Sequence, residues 1–363
     1  MIRVLVDWYE RHFSDPQVVL LAILLLLGFG IVLFTGGMLA PLLAAIVLAY
    51  LLDDPVQRLT RLRMPRALAV SVVFAIFLGI VTAVLVWLLP LLVRQAVQFF
   101  TEMPMMLSQG QKLLLQLPER YPELLTESDI VSLVSQIRAE LAALGQRVVS
   151  TSLASVVSVI TMLVYLVLVP VLIFFLLLDR DKIFAWIRRF LPEDRTLVSA
   201  VSAEMNKKIA SYVRGKLLEI VIIWAVSYLV FASLCLNYAM LLSLMAGLSV
   251  IIPYVGVVIV TVPIFLIGYF QWGWSSEFIY LMIGHGVIQF FDGNLLVPLL
   301  FSEVVNLHPI AIIAAVLVFG SLWGVWGVFF AIPLATLVHV VLDAWPNHAG
   351  VRDDTAAQAN KPG

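Results

Sequence analysis

In the run Gly284-His285-Gly286-Val287-Ile288-Gln289-Phe290-Phe291-Asp292-Gly293-Asn294, three side chains suited to proton or cation chemistry fall at i, i+4 and i+7. On a helix this spacing puts His285, Gln289 and Asp292 on one face, so an imidazole, an amide and a carboxylate converge. Such a set can exchange a proton between two titratable groups or ligate a cation, with Asn294 adding a second amide nearby. A plainer reading is also open: Asp292-Gly293-Asn294 is a turn between two short apolar pieces, since all three residue types favour turns. For His285, likewise, a hydrogen-bonded packing role stands beside a direct one.

What makes Asp292 a candidate is its isolation. From Leu217 to Val351 the chain has no Lys or Arg, yet it keeps Glu219, Glu277, Asp292, Glu303 and Asp343 among long apolar runs. A charge at the centre of a bilayer costs roughly 3 kcal/mol on insertion scales and needs a partner. With no basic residue close in sequence, that partner is expected to be water, a bound cation, a histidine or a proton. Glu219 has a cheaper explanation, an i, i+3 pair with a Lys216 that snorkels to the cytoplasmic interface.

The composition sets the frame for these groups. Of 363 residues, 62% are hydrophobic and 12% charged, about half the charged content of soluble domains. Several runs reach the length of a spanning helix, and none shows the alternation of an outer-membrane barrel strand. The expected fold class is therefore all-α, a polytopic helical membrane protein with about eight membrane segments. Candidate spans are Val18 to Phe34 (read as a retained first helix), Met38 to Leu52, Ala67 to Leu89, Leu153 to Leu178, Leu217 to Leu236, Ala239 to Phe270, Phe278 to Phe301 and Ile310 to Leu342.

Arg58, Arg61, Arg63 and Arg66 crowd one loop, and Arg180, Lys182, Arg188, Arg189, Arg195, Lys207, Lys208 and Arg214 another. Basic loops stay cytoplasmic, so both termini are expected there and the segment between the loops outside. The chain thus divides into N-terminal membrane helices (1–93) with a basic loop at 53–66, an extracytoplasmic amphipathic helical segment (94–150), a membrane helix with the second basic loop (151–216), a C-terminal membrane core with a broken helix (217–345) and a flexible tail (346–363). In the outer segment Ile130, Leu133, Val134, Ile137, Leu141 and Leu144 recur at helical spacing, which specifies burial but not the partner. Asp179-Arg180-Asp181-Lys182 reads as a solvated, mutually neutralising helix end.

Two apolar stretches are interrupted. Pro253-Tyr254-Val255-Gly256 cuts Ala239 to Phe270 after about 14 residues, roughly 21 Å of helix, too short to cross alone. A re-entrant hairpin or discontinuous helix follows, with Pro253, Tyr254 and Gly256 at a wet pathway and Gly256 admitting close backbone approach. Ile310 to Leu342 carries Gly320, Gly324, Gly327 and Pro333, and its Gly-x-x-x-Gly reads as a helix-packing motif. Paired interruptions of this kind point to a transporter's central site.

Absences narrow the function. A net charge of -1 favours neither nucleic acid nor an anionic substrate. Without a phosphate-binding loop, a nucleophile elbow or a zinc-protease motif, the chain is expected to be no enzyme, to take no nucleotide or other cofactor, and to hold no metal cluster.

Taken in order, Asn206-Lys207-Lys208, Arg214-Gly215-Lys216-Leu217-Leu218-Glu219, Ile252-Pro253-Tyr254-Val255-Gly256, Asp292-Gly293-Asn294-Leu295-Leu296-Val297-Pro298, Leu307-His308-Pro309 and Phe329-Phe330-Ala331-Ile332-Pro333-Leu334-Ala335 resemble the autoinducer-2 exporter family, closest to its PerM-like permease branch. The resemblance implies a multi-pass inner-membrane transporter assembled as a homo-oligomer, a pentamer among the forms it admits. Some members of that family are assigned signal-molecule export and others sodium/proton antiport. Gln is frequent there at the place of Lys216, and Glu at the place of Asp292.

Two functions follow as expectations. In the first, the chain is a transporter of a small polar solute, signal molecule or monovalent cation, passive or coupled to a proton or sodium gradient; His285, Gln289, Asp292, Asn294, Glu219, Pro253, Tyr254 and Gly256 form its pathway. The alternative is a membrane scaffold that engages envelope or division proteins through 94–150. The topology common to both is tested by thiol labelling. In a variant with Cys235 replaced, a cysteine at Ser128 should react with an impermeant maleimide in intact cells, and reaction only after the inner membrane is permeabilised would invert the assignment.

Overall fold

The computed structural model describes residues 41–115, 156–189, 196–301 and 307–359, with Gly30 and individual positions between 128 and 143. The expected first span, Val18 to Phe34, and most of 116–150 lie outside the described residues. Regular structure among those described is entirely helical. In chain order it comprises α1 (41–61), α2 (Arg66–Ala83), α3 (Leu89–Leu114), α4 (Val156–Leu178), α5 (Arg180–Arg188), α6 (Thr196–Ser233), α7 (Ala239–Ser249), α8 (Val255–Trp272), α9 (Ser276–Phe291), α10 (Val297–Phe301) and α11 (Pro309–Ala359). Single π-turns, Val84–Leu88 and Asp292–Leu296, carry α2 into α3 and α9 into α10 without a break.

Among the described residues, five stretches are long and apolar enough to cross a membrane: Arg66–Gln111, Ala203–Ser233, Val255–Trp272, Ser276–Phe301 and Pro309–Val340. Their outward side chains, among them Leu68, Ile76, Trp87, Val258, Leu266, Tyr280 and Leu299, are exposed and apolar, as contact with lipid tails requires. The chain is a polytopic helical membrane protein. Two of the five stretches, however, belong to chain reversals.

The first reversal is the pair α7 and α8. Asn237 N–H donates to Gln271 Oε1 at 2.8 Å and Gln271 Nε2 to the Cys235 carbonyl at 2.8 Å, so α8 ends where α7 began. At the opposite tip Tyr254 takes φ 64°, and a Cβ on Gly256 would lie 1.8 Å from the Ser249 carbonyl oxygen. The close backbone approach expected at Gly256 is that of its own chain, at Ser249. The second reversal is inside α11, where Gly324 adopts φ 60° and ψ -136°. A Cβ on Gly327 would meet the Phe319 carbonyl oxygen at 1.8 Å, a contact that a straight helix cannot make between residues eight apart. Gly320 packs on Val328 of the returning arm. The Gly-x-x-x-Gly motif thus closes a hairpin within one chain.

Three apolar clusters hold the bundle. Ala45, Ala49 and Val56 of α1 pack with Ala69, Val70 and Val73 of α2 and Ile173 and Leu177 of α4. A larger core joins α6 to α9 through Ile223, Phe231, Leu242, Ala246, Val260, Ile264, Leu281 and Ile288. Tyr212, Val213, Phe301, Ile312 and Ile332 join the start of α6 to α10 and α11. In segment 94–150, Ile130 and Val134 are buried, as the apolar stripe predicts; the side chains of Leu133, Ile137, Leu141 and Leu144 lie outside the described residues.

Polar ties close both ends. At the basic end the buried Asp53 carboxylate accepts from Arg180 at 2.5 Å and pairs with Arg66 at 3.7 Å, while Arg66 also donates to the Leu177 carbonyl at 2.9 Å. Arg180 therefore reaches across the fold, and in Asp179-Arg180-Asp181-Lys182 the local neutralisation is that of Lys182 by Asp179, 2.7 Å apart. Arg214 pairs with Asp54, and the Tyr50 hydroxyl donates to Asn206, anchoring α6 to α1. At the far end Tyr238 donates to Glu102 at 2.5 Å, and Leu241 N–H to Gln95 Oε1 at 2.9 Å, tying α3 to the mouth of the α7–α8 hairpin.

The hairpin tip gives a stability prediction. Gly256→Ala should cost about 3 kcal/mol or more, because the added methyl meets backbone that cannot rotate away. Gly286→Ala, with nothing within 4 Å of its Cβ, should be neutral or stabilising. Thermal unfolding of the detergent-purified proteins measures the contrast. Equal midpoints for the two variants would contradict the tip geometry.

Candidate functional site

Helix α6 exposes most of its surface but buries one stripe: Tyr212, Lys216, Glu219, Ile223, Ser227 and Phe231. Steps of three and four place these residues on one face. On α9 and the π-turn that follows, Phe278, Leu281, His285, Ile288 and Asp292 make the matching buried stripe. The helices run antiparallel: Gly215 abuts Phe301, Gly284 abuts Val230, and the Phe231 and His285 rings lie 6.3 Å apart. This register sets Ser227 at the level of Gln289, and Asp292 at the level of Ile223 and Trp224.

The seam between the two stripes is polar in an otherwise apolar core. Lys216 and Glu219 are only 5% and 2% exposed, and the ammonium donates to Glu219 Oε2 at 2.7 Å. A second N–H of the same ammonium goes to the Val250 carbonyl at 2.8 Å, at the tip of the α7–α8 hairpin, and the charge lies 5.3 Å from the centre of the Phe301 ring. The expected i, i+3 pair is formed. Snorkelling is not, because Lys216 is buried between Phe301 of α10 and the hairpin tip at Val250.

The charges of Lys216 and Asp292, and of Asp292 and Glu219, act on one another across the seam. The isolation of Asp292 in sequence is thereby lifted in space: its cationic neighbour is Lys216, just before the stretch that lacks basic residues. The Oδ1 atom of Asp292 has no hydrogen-bond partner among the described residues, although the side chain is buried. The same holds for Trp224 Nε1, Ser227 Oγ, His285 Nδ1 and both polar atoms of Gln289. Buried polar atoms left unpaired cost about 1 to 3 kcal/mol each, and here they gather along α6 and α9.

Of the residues singled out in the sequence, His285, Gln289 and Asp292 share the seam face with Glu219. His285 Nε2 stands 3.0 Å from Thr261 Oγ1 on α8. Asp292 does not begin a turn; it begins a π-turn inside a continuous helix, a distortion frequent at functional sites. Asn294 is exposed and donates back to the Phe290 carbonyl at 2.9 Å. Pro253, half-buried, and Tyr254, 60% exposed, lie at the hairpin tip, which touches the seam through Val250. Trp224, Ser227 and Thr261 were not singled out, and Lys216 only as the partner of Glu219. The signal for Ser227 was present, since 216, 219, 223 and 227 form a helical stripe, whereas Thr261 is brought in by the hairpin alone.

The arrangement can hold a small cation against Asp292, pass a proton along the row, or hydrate a polar solute. Among the described residues no three His, Cys, Asp or Glu converge as a metal site. Comparison with known proteins agrees with a transport role. Residues 21–347 match the family model described as AI-2E family transporter. The chain is 45% identical over 347 residues to "Putative permease PerM" of Escherichia coli (strain K12), covering 96% of this chain and 98% of that one. It is 22% identical over 326 residues to "AI-2 transport protein TqsA" of the same strain, covering 90% and 91%. With a helical membrane bundle, a buried polar seam and a family match over most of its length, this chain belongs to the AI-2E family of transporters.

Proposed function

We propose that this chain carries a small polar solute, a signal molecule or a monovalent cation along the α6–α9 seam, driven by the cargo's own gradient or coupled to a proton or sodium gradient. The observation that carries the reading is Asp292: a 7% exposed carboxylate with an unpartnered oxygen, on the helix face that also holds His285 and Gln289. In a membrane interior an ionisable group of this kind marks a transport or relay pathway. A seam that met neither water nor solute would gain stability from apolar residues in these places. The relative named as an AI-2 transport protein supports a signal molecule as one cargo class. The bilayer in question is the bacterial inner membrane, with the basic end and both termini in the cytoplasm, a placement that the arginine-rich loops support. The working unit is a homo-oligomer.

Each seam residue has a role. Asp292 binds the proton or cation, Gln289 hydrogen-bonds cargo with Asn294 at the seam's edge, and His285, positioned by Thr261, tunes the site. Glu219 and the tip at Pro253, Tyr254 and Gly256 bound the pathway on the side of Lys216.

Flux in liposomes, measured across a pH series with sodium varied independently, tests the reading. Asp292→Asn keeps the size and loses the charge. It should insert normally, abolish the pH or cation dependence and lower flux by about tenfold or more, the scale of one lost charge interaction of roughly 1.4 kcal/mol. His285→Gln should shift the pH profile with a smaller loss. An Asp292→Asn protein with the wild-type profile would remove Asp292 from the pathway.

A further inference from the structure

Charge balance inside the seam has a specific consequence. Lys216, Glu219 and Asp292 are buried at 5%, 2% and 7% exposure, two carboxylates and one ammonium along one seam, with Asp292 about two turns from Lys216 in the register of α6 and α9. The ammonium is committed to Glu219 by a 2.7 Å bond and held in place by the Val250 carbonyl and the Phe301 ring. One negative charge remains, on Asp292, whose Oδ1 lacks a partner. Among the described residues, Lys216 is the one positively charged group that acts on Asp292. Tyr212, the remaining ionisable group at this end of the α6 stripe, donates its hydroxyl to the Phe329 carbonyl at 3.1 Å, and His285 lies two turns away beside Thr261. Helices α7, α8 and α10 contain no acidic or basic residue.

A net charge buried in an apolar bundle is costly, and the cost falls away when a counter-charge arrives. We infer that the seam binds one monovalent cation at Asp292, and that Lys216 sets this number by cancelling Glu219. Lys216 thus acts as a resident counter-ion, a positioning residue that fixes stoichiometry without touching the bound cation. The number of cations taken up equals the number of carboxylates less the number of ammonium groups. The inference rests on the proposed placement of Asp292 in the pathway, and it assigns the class and count of what binds there.

The test counts cations bound at equilibrium by the purified full-length protein in lipid nanodiscs. Sodium is titrated calorimetrically at fixed pH, and protons are counted by back-titration against Asp292→Asn, so the two cation sources are read separately. Wild type should take up one cation in one of the two arms. Glu219→Gln should take up none, although Asp292 is intact, because Lys216 then neutralises Asp292. Lys216→Gln should take up two. The double variant Lys216→Gln/Glu219→Gln should return to one, a restoration that a merely structural role for either residue does not produce. Should Lys216→Gln fail to fold, Glu219→Gln and the double variant still decide the matter.

Retention of one cation by Glu219→Gln, failure of the double variant to regain it, or no uptake by wild type in either arm overturns the inference. Because binding is measured without flux, the outcomes separate. Cation-dependent flux lost in Asp292→Asn, together with a stoichiometry unmoved by Glu219→Gln, would sink the counter-ion role and leave the transport reading standing.

Discussion

The buried bond from Lys216 to Glu219 is the constraint around which the membrane core is arranged. An ammonium enclosed in an apolar bundle must find a carboxylate and spend its remaining hydrogens, or it costs several kcal/mol. Here Glu219 takes one hydrogen and the backbone of the α7–α8 tip takes another. That second bond gives the hairpin its depth: Val250 must reach the level of Lys216, so α7 runs down α6 and turns there. Gly247, pressed against the Ile220 carbonyl, and Gly256, pressed against the Ser249 carbonyl, are the places where backbone comes too close for a side chain. Charge and close packing therefore fix the same geometry from two sides.

The two reversals divide the work of the bundle. One hairpin enters from the end where Tyr238 and Gln271 lie and touches the seam with its tip. The other, α11, starts from the opposite end and packs near the start of α6, where Tyr212 meets Phe329. Backbone that leaves helical geometry inside a membrane must be enclosed by protein or face water; the α7–α8 tip meets α6 through the Val250 carbonyl, whereas Val325 and Trp326 at the α11 tip are exposed. At the basic end, Asp53 collects Arg66 and Arg180 while Arg214 ties α6 to Asp54, so the helix that bears the charge seam is braced where it leaves the bilayer.

The seam also shows why an intramembrane carboxylate is poorly read from its neighbours in sequence. Asp292 lies 76 positions beyond Lys216, with no Lys or Arg between them. The antiparallel register of α6 and α9 removes that separation. It leaves Asp292 influenced by a lysine that is already engaged, a condition different both from an isolated acid and from a simple ion pair.

Residue types and periodicity alone determined the membrane class, the all-helical fold, the interruption at Pro253 to Gly256, the shared face of His285, Gln289 and Asp292, and the local pair of Lys216 with Glu219. Each of these depends on composition or on spacing within a few turns, which one chain displays directly. Tertiary structure decided what lies across from what. It turned α7 and α8 back on themselves, folded Ile310 to Leu342 at Gly324, sent Arg180 to Asp53, set Thr261 beside His285 and enclosed Lys216 that spacing alone would have let reach the interface. These outcomes depend on helix register and on which backbone can approach which, and such distances are not encoded at any single position; they emerge when the apolar stripes of several helices are buried together.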